Sequence, residues 1–358
     1  MKVLQILPQL NIGGVERGTL DLSKALIQKG HESFVISGGG ILVDELEKCG
    51  AKHFKIPIHI KRLKTLSLAK SLSETISSID PDIVHVRSRM PAWVNFRAFK
   101  MLQKKPLLIS TFHGLYSFPI YSKVMSFVDH TIAISKTVEN YILENYKLDK
   151  NEITVIPRGC DPVEFNNDEI NPLDKAKIMN EFPQIIEKKV LTIPGRITKW
   201  KGVAEFIELF SLLDDNYHGL IVGPSAKSKQ KYLNELKHKV SSLGLGDKIT
   251  FTGSRRDIAN IYKISDVVFN LSQTPEPFGR TMIEAIACGT KVIGWNHGGA
   301  SEILSELFPQ GLVTLNDMHD LLNTTNKVAS SNSTPRENIF TASRMTNSTI
   351  KLYQNLIG

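Results

Sequence analysis

Short apolar runs alternate with helical patterns along the whole chain. In the first half the runs are VLQIL (3–7), SFVIS (33–37), HFKIP (53–57), IVHV (83–86), LLIST (107–111), TIAIS (131–135) and ITVIP (153–157). In the second half they are VLTI (190–193), GLIVG (219–223), ITFTG (249–253), VVFNLS (267–272), KVIGW (291–295) and GLVTL (311–315). Helix-like stretches such as 15–29 and 66–79 separate them, and Val203, Phe206, Ile207 and Phe210 keep helical spacing after residue 202. Strand and helix in strict alternation predict an α/β chain built on parallel sheets, with helices on both faces.

The alternation breaks at "PRGCDPVEFNNDEINPLD" (157–174), which has three prolines and little periodicity. A linker there divides the chain into a first Rossmann-like domain at 1–165 and a second at 166–339. The polar stretch "NSTPRENIF" (332–340) then leads into a helical tail, 340–358, expected to pack back on the first domain. Ligands of such sheets bind beyond the carboxyl ends of the strands, so the two domains are expected to face a central cleft.

Composition bounds the class. The 358 residues are 41% hydrophobic and 22% charged, ordinary for a globular protein with a sizeable core. No apolar run approaches the roughly 18 residues of a membrane span. MKVLQILPQL reads as a first buried strand, since a secretory signal needs a longer apolar region and a cleavage site. Cys49, Cys160 and Cys288 are widely spaced without a CxxC, which suggests reduced thiols in a cytoplasmic protein. The triplets at Asn332 and Asn347 are then not glycosylation sites.

The net charge is +8, and 22 basic against 16 acidic residues precede position 166. "KRLK" (61–64) and "RAFKMLQKK" (97–105) are the densest basic stretches. They are either solvated helix faces or contacts to an anionic acceptor or an anionic membrane surface. No nucleic-acid-binding pattern accompanies the charge.

Four places carry candidate chemistry. Gly13 and Gly14, in "LNIGGVER", join a strand to a helix whose first N–H groups would favour an anion. The loop is neither GxGxxG nor a P-loop, and a plain tight turn is the competing reading. In "PGRITKWKG" Arg196 and Lys201 flank another helix start and suit a diphosphate, one as a bidentate donor and one as a point charge. In "TPEPFGRTMIEAIACGT" (274–290), Pro277 and Gly279 separate Glu276 from Glu284. A helix is expected from about Thr281, where Thr281 and Glu284 have capping-box spacing. Glu284 is thus a cap or a ligand group, whereas Glu276 has no evident capping duty. The N–H groups of Phe278, Gly279 and Arg280 add an anion-friendly helix start. His113 in "STFHG" ends a strand, structural or functional. "DPD" (80–82) reads as a turn and not a metal motif, and no HxxxH, HExxH or GxSxG occurs.

Together these motifs resemble the retaining glycosyltransferases of family 4, with the GT-B fold. Glu276-PFGRTMI-Glu284-AIACGTKVIGWNHGGASE302 follows that family's two-glutamate signature, and "PGRITKWKG", "LNIGGVER", "STFHG" and "VIPRGCDPVEF" follow in order over nearly the whole chain. The resemblance implies that Arg196 and Lys201 bind the donor diphosphate, Glu284 the ribose and Glu276 the sugar hydroxyls. It implies that backbone at Phe278, Gly279, Arg280 and Thr281, with Gly13 and Gly14, meets sugar and phosphate. His113 would approach the donor sugar, and the segment Ser254–Arg256 the base. It further implies a nucleotide-sugar donor, UDP-linked by default, no metal or other cofactor, and a glycan or lipid-linked acceptor of cell-surface polysaccharide synthesis. The enzyme would sit in the cytoplasm or on the inner face of the plasma membrane. A nucleotide-sugar 2-epimerase or phosphorylase of the same fold and a non-catalytic sugar-binding module are the rival readings; a dehydrogenase lacks its fingerprint.

Overall fold

The computed structural model describes residues 1–11, 13–60, 63–116, 119–226 and 230–358. Lys61 and Arg62 of the first basic run lie outside the described residues. The chain divides into two compact units, Met1–Gly159 with Ala342–Gly358, and Cys160–Thr341.

The first unit holds β1 (Lys2–Ile6), β2 (Glu32–Ser37), β3 (Lys52–Lys55), β4 (Ile83–Val86), β5 (Leu107–Phe112), β6 (His130–Ala133) and β7 (Ile153–Val155). They form one sheet in the order β3-β2-β1-β4-β5-β6-β7, and every pair is parallel. The second unit holds β8 (Lys189–Pro194), β9 (Tyr217–Val222), β10 (Ile249–Gly253), β11 (Val267–Asn270), β12 (Lys291–Trp295) and β13 (Leu312–Val313). Its order is β10-β9-β8-β11-β12-β13, again all parallel. This is the GT-B pair of Rossmann-like domains, and each apolar run of the sequence coincides with a strand. In each sheet the strand order reverses beside its first strand, between β1 and β4 and between β8 and β11. Loops leaving the carboxyl ends there form the ligand crevice of such folds.

Parallel strands are buried on both faces, which is why their sequences are apolar runs and not alternations. In the first unit Val3, Ile83, Ile109, Ile132 and Ile156 pack under Leu22 and Leu26 of the helix Gly14–Gln28. The C-terminal helix Ala342–Ile357 completes that core with Met345, Ile350 and Tyr353. Its Tyr353 hydroxyl lies 2.6 Å from His85 Nδ1, while His85 Nε2 lies 2.7 Å from Thr111 Oγ1.

The unit boundary falls at Gly159/Cys160, six residues before the 165/166 division expected from composition. Packing explains the shift. Phe165 is buried against Tyr262, ring centres 6.3 Å apart, and Cys160 N–H donates to Phe340 O at 3.1 Å. Residues 160–165 therefore belong to the second core despite their loop-like sequence. "DPD" is a turn: Asp80 ends the helix Ala69–Ile79 in a left-handed conformation, and Asp82 accepts from Lys2 N–H at 2.7 Å. No described helix is long and apolar enough to cross a membrane.

Candidate active site

In the second unit the loop after β8 is shaped by three glycines. Gly195 (φ +133°), Gly202 (φ +74°) and Gly223 (φ +152°) sit in backbone conformations that side chains rarely adopt. A Cβ at Gly202 would strike the Leu271 carbonyl, and one at Gly223 the Gly195 carbonyl. Gly195 N–H donates to Val222 O at 2.8 Å and Ile197 N–H to Pro224 O at 3.0 Å, so the loop is pinned to β9's end. Gln273 N–H donates to Trp200 O at 2.7 Å, which ties it to the loop after β11.

That stitching brings Lys201 to Glu276. Lys201 Nζ lies 2.7 Å from Glu276 Oε2 and 4.2 Å from the Trp200 ring centre. Ser272 Oγ donates to the same carboxylate oxygen at 2.7 Å, and His297 Nε2 donates to Ser272 O at 2.7 Å. Arg196 is exposed on the same loop and makes no side-chain ion pair among the described residues. An exposed arginine, a lysine held by a carboxylate, and a helix start lie on loops at the carboxyl ends of β8 and β11, a set suited to an anion joined to a polyol.

Glu284 corrects the sequence reading. The helix is Arg280–Ala287, begins one residue before Thr281, and has Gly279 (φ +108°) as its cap with no side-chain hydrogen bond. Thr281 is its second residue. Glu284 is a full turn inside, buried, with Oε1 accepting from Arg280 Nη2 at 2.7 Å and Oε2 facing the Tyr262 hydroxyl at 3.5 Å. No capping box forms because Gly279 and not Thr281 stands at the cap, which leaves Thr281 and Glu284 inside the helix. Burial pushes the Glu284 carboxyl pKa up, and the Arg280 guanidinium opposes that shift. Phe278 is buried edge-on against Phe340, so only its backbone is offered to a ligand.

Gly298 and Gly299, unassigned from sequence, hold the Glu276 loop. Gly299 N–H donates to Glu276 O at 2.7 Å. Cβ atoms would lie 2.8 Å from Glu276 N at Gly298 and 2.5 Å from Phe278 O at Gly299. Their signal was a second strand–Gly-Gly–helix turn after KVIGW. Arg255, in the segment expected to meet a base, pairs with Asp257 at 2.7 Å and with Glu181 at 2.5 Å.

In the first unit Gly14 opens the helix Gly14–Gln28, and Gly13 is extended, with Arg17 N–H bonded to its carbonyl at 3.0 Å. His113 follows β5; its N–H donates to the Tyr116 hydroxyl at 3.3 Å, and its Nε2 is buried without a partner. Burial above all, then the charges of Arg158 and Arg87 and neighbouring His85, hold its pKa well below the usual value. It is a neutral imidazole at pH 7. Arg158, given no role from sequence, is buried and donates to Gly14 O.

The chain matches two family models, "Glycosyltransferase Family 4" over residues 12–164 and "Glycosyl transferases group 1" over 174–344. The mannosylfructose-phosphate synthase of Agrobacterium fabrum is 35% identical over 186 residues, 49% of this chain and 40% of that protein. The lipopolysaccharide core biosynthesis mannosyltransferase LpsB of Rhizobium meliloti is 30% identical over 155 residues, 42% of this chain and 43% of that protein. The chain thus spans less than half the length of these two curated relatives. A glycosyltransferase structure from Rickettsia africae superposes with a TM-score of 0.85 at 29% identity, covering 99% of this chain and 98% of that one. HepE of Anabaena, in complex with UDP and glucose, superposes at 0.81 with 21% identity, covering 99% of each chain.

Proposed function

The chain is a glycosyltransferase of the group 1/family 4 type, and from that premise we propose that it transfers a hexose with retention from a nucleoside-diphosphate sugar to a glycan or lipid-linked acceptor. The observation that carries this reading is the Lys201–Glu276 pair beside the exposed Arg196, on loops at the β8/β11 crevice. Arg196 and Lys201 take the diphosphate. Glu276 takes hydroxyls of the transferred sugar, and Glu284, braced by Arg280, takes the ribose. Backbone N–H groups from Phe278 to Thr281 face the phosphate and sugar at a helix start. Gly13, Gly14 and neutral His113 serve the same transfer from the first unit. A uridine nucleotide is supported by the UDP held in HepE, and a cell-surface glycan acceptor by the lipopolysaccharide activity of LpsB.

The bond from the anomeric carbon to the diphosphate oxygen breaks while the acceptor hydroxyl oxygen bonds to the same carbon on the same face. The hydroxyl proton passes to the departing diphosphate. Negative charge builds on that diphosphate, and fixed cations with oriented N–H groups stabilise it. Arg196 and Lys201 supply this charge from the protein, so transfer is expected to persist in EDTA. The basic first half is proposed to bring the enzyme to an anionic membrane face where a lipid-linked acceptor resides.

The test is a panel of nucleotide sugars in a thermal-shift assay, followed by product analysis with candidate acceptors. Acceptor-dependent release of nucleoside diphosphate and an α-to-α product support the reading. A free epimerised sugar formed without acceptor would identify the epimerase, and tight donor binding without transfer or hydrolysis the binding module. Loss of all activity in EDTA, restored by a divalent cation, would remove metal independence.

A further inference from the structure

The loop between β11 and the helix Arg280–Ala287 carries Glu276, and two side chains outside its ion pair govern how the carboxylate is aimed. Ser272 is 2% exposed, and its Oγ donates its one proton to Glu276 Oε2 at 2.7 Å, the oxygen that Lys201 also reaches. Ser272 is itself held from both sides. Its N–H donates to Asn270 Oδ1 at 3.4 Å, and its carbonyl accepts from His297 Nε2 at 2.7 Å. A carbonyl can only accept, so Nε2 carries a proton whether the imidazole is neutral or charged.

His297 stands at the cap of the helix Gly298–Leu307, yet its side chain makes no capping hydrogen bond. Serine, threonine, aspartate or asparagine would serve that helix better. The imidazole reaches instead to the neighbouring loop, and a residue that breaks a local preference in this way points to a functional demand. Backbone at the same helix start already ties that loop, through Gly299 N–H to Glu276 O at 2.7 Å. His297 adds a side-chain tie four residues earlier.

With Lys201 and Ser272 both on Oε2, the Glu276 Oε1 atom has no protein partner among the described residues. The lysine is a point charge on a flexible stem and sets little direction. The serine hydroxyl is short, buried and directional. The remaining oxygen of a carboxylate held in this way accepts a hydrogen bond and offers none, which suits a sugar hydroxyl. We propose that Ser272 and His297 are positioning residues that hold Glu276 by Oε2 and present Oε1 to a hydroxyl of the transferred sugar. The inference rests on the reading that Glu276 meets that sugar. It adds which oxygen makes the contact and what aims it.

The test titrates the full chain by calorimetry with UDP, UDP-glucose, GDP and GDP-mannose. The ratio of each nucleotide sugar's affinity to that of its nucleotide isolates the sugar contact. Ser272→Ala and His297→Leu are expected to bind the nucleotides as wild type does, while the ratio falls about tenfold for at least one sugar. His297→Gln, whose amide nitrogen takes the Nε2 position, restores most of that loss. Melting is followed alongside. If His297→Leu does not fold, His297→Asn replaces it, a favoured cap whose amide stops at the Nδ1 position. Glu276→Ala sets the ratio expected without the carboxylate. Equal losses for nucleotides and nucleotide sugars would mean only a collapsed loop and would overturn the inference. Unchanged ratios in the Ser272 and His297 variants, beside a fallen ratio in Glu276→Ala, would overturn it and leave the sugar role of Glu276 standing. Ratios unchanged in Glu276→Ala would remove both.

Discussion

Lys201 Nζ sits 2.7 Å from Glu276 Oε2, joining the loops after β8 and β11. With side-chain exposures of 18% and 12%, the pair is too sheltered to behave as an ordinary surface ion pair. Lys201→Ala is expected to weaken nucleoside-diphosphate affinity about tenfold or more, and Glu276→Ala chiefly to lower turnover and donor discrimination. The double variant should show a coupling of about 1–3 kcal/mol in a stability cycle. Strict additivity would mean that the contact contributes nothing in solution.

Glu284→Gln separates ribose recognition from packing. The amide keeps the side chain's shape and an oxygen that can accept from Arg280 Nη2, so the variant should melt within a few degrees of wild type. UDP affinity should fall while pyrophosphate affinity stays unchanged. Equal losses for both ligands would argue against a ribose contact.

Gly299→Ala places a methyl group against the Phe278 backbone, and Gly298→Ala adds a left-handed residue (φ +58°) pressed on Glu276 N. Each should cost about 1–3 kcal/mol and displace the Glu276 loop, with donor KM rising. Gly244→Ala, also left-handed (φ +68°) but with nothing within 4 Å, provides the control for strain alone. Equal effects at 244 and 298 would show that crowding is irrelevant.

Acid should destabilise both units through buried neutral histidines. His218 is pushed down to about 4, by burial first, and His85 and His113 lie well below their usual value for the same leading reason. An unfolded histidine takes up its proton near pH 6.5, so below that pH the unfolded chain binds more protons than the folded one. This stability is fully present above about pH 6.5 and is lost progressively as pH falls toward 4. Calorimetric melting from pH 8 to 5 should show Tm falling below 6.5, and a flat profile would contradict the burial of these rings.

The strands are legible from sequence alone, because a strand buried on both faces must be apolar along its length and so announces itself locally. Legible too are the glycine turns and charged residues at strand ends, since a loop that approaches a neighbouring backbone cannot carry a side chain. Tertiary structure decided which of those residues meet. Glu284 has the spacing of a cap, yet Arg280 and Tyr262 claim its carboxylate once Gly279 turns the chain unaided. Glu276 looked free in sequence and is held by Lys201, 75 positions away. Arg158 has no role legible in sequence, and the structure places it against Gly14 O and beneath Gly18. His85 and Tyr353, 268 positions apart, meet because the last helix returns to the first unit. Local chemistry sets what each segment becomes, whereas pairing across the chain depends on a close packing that no short window of residues contains.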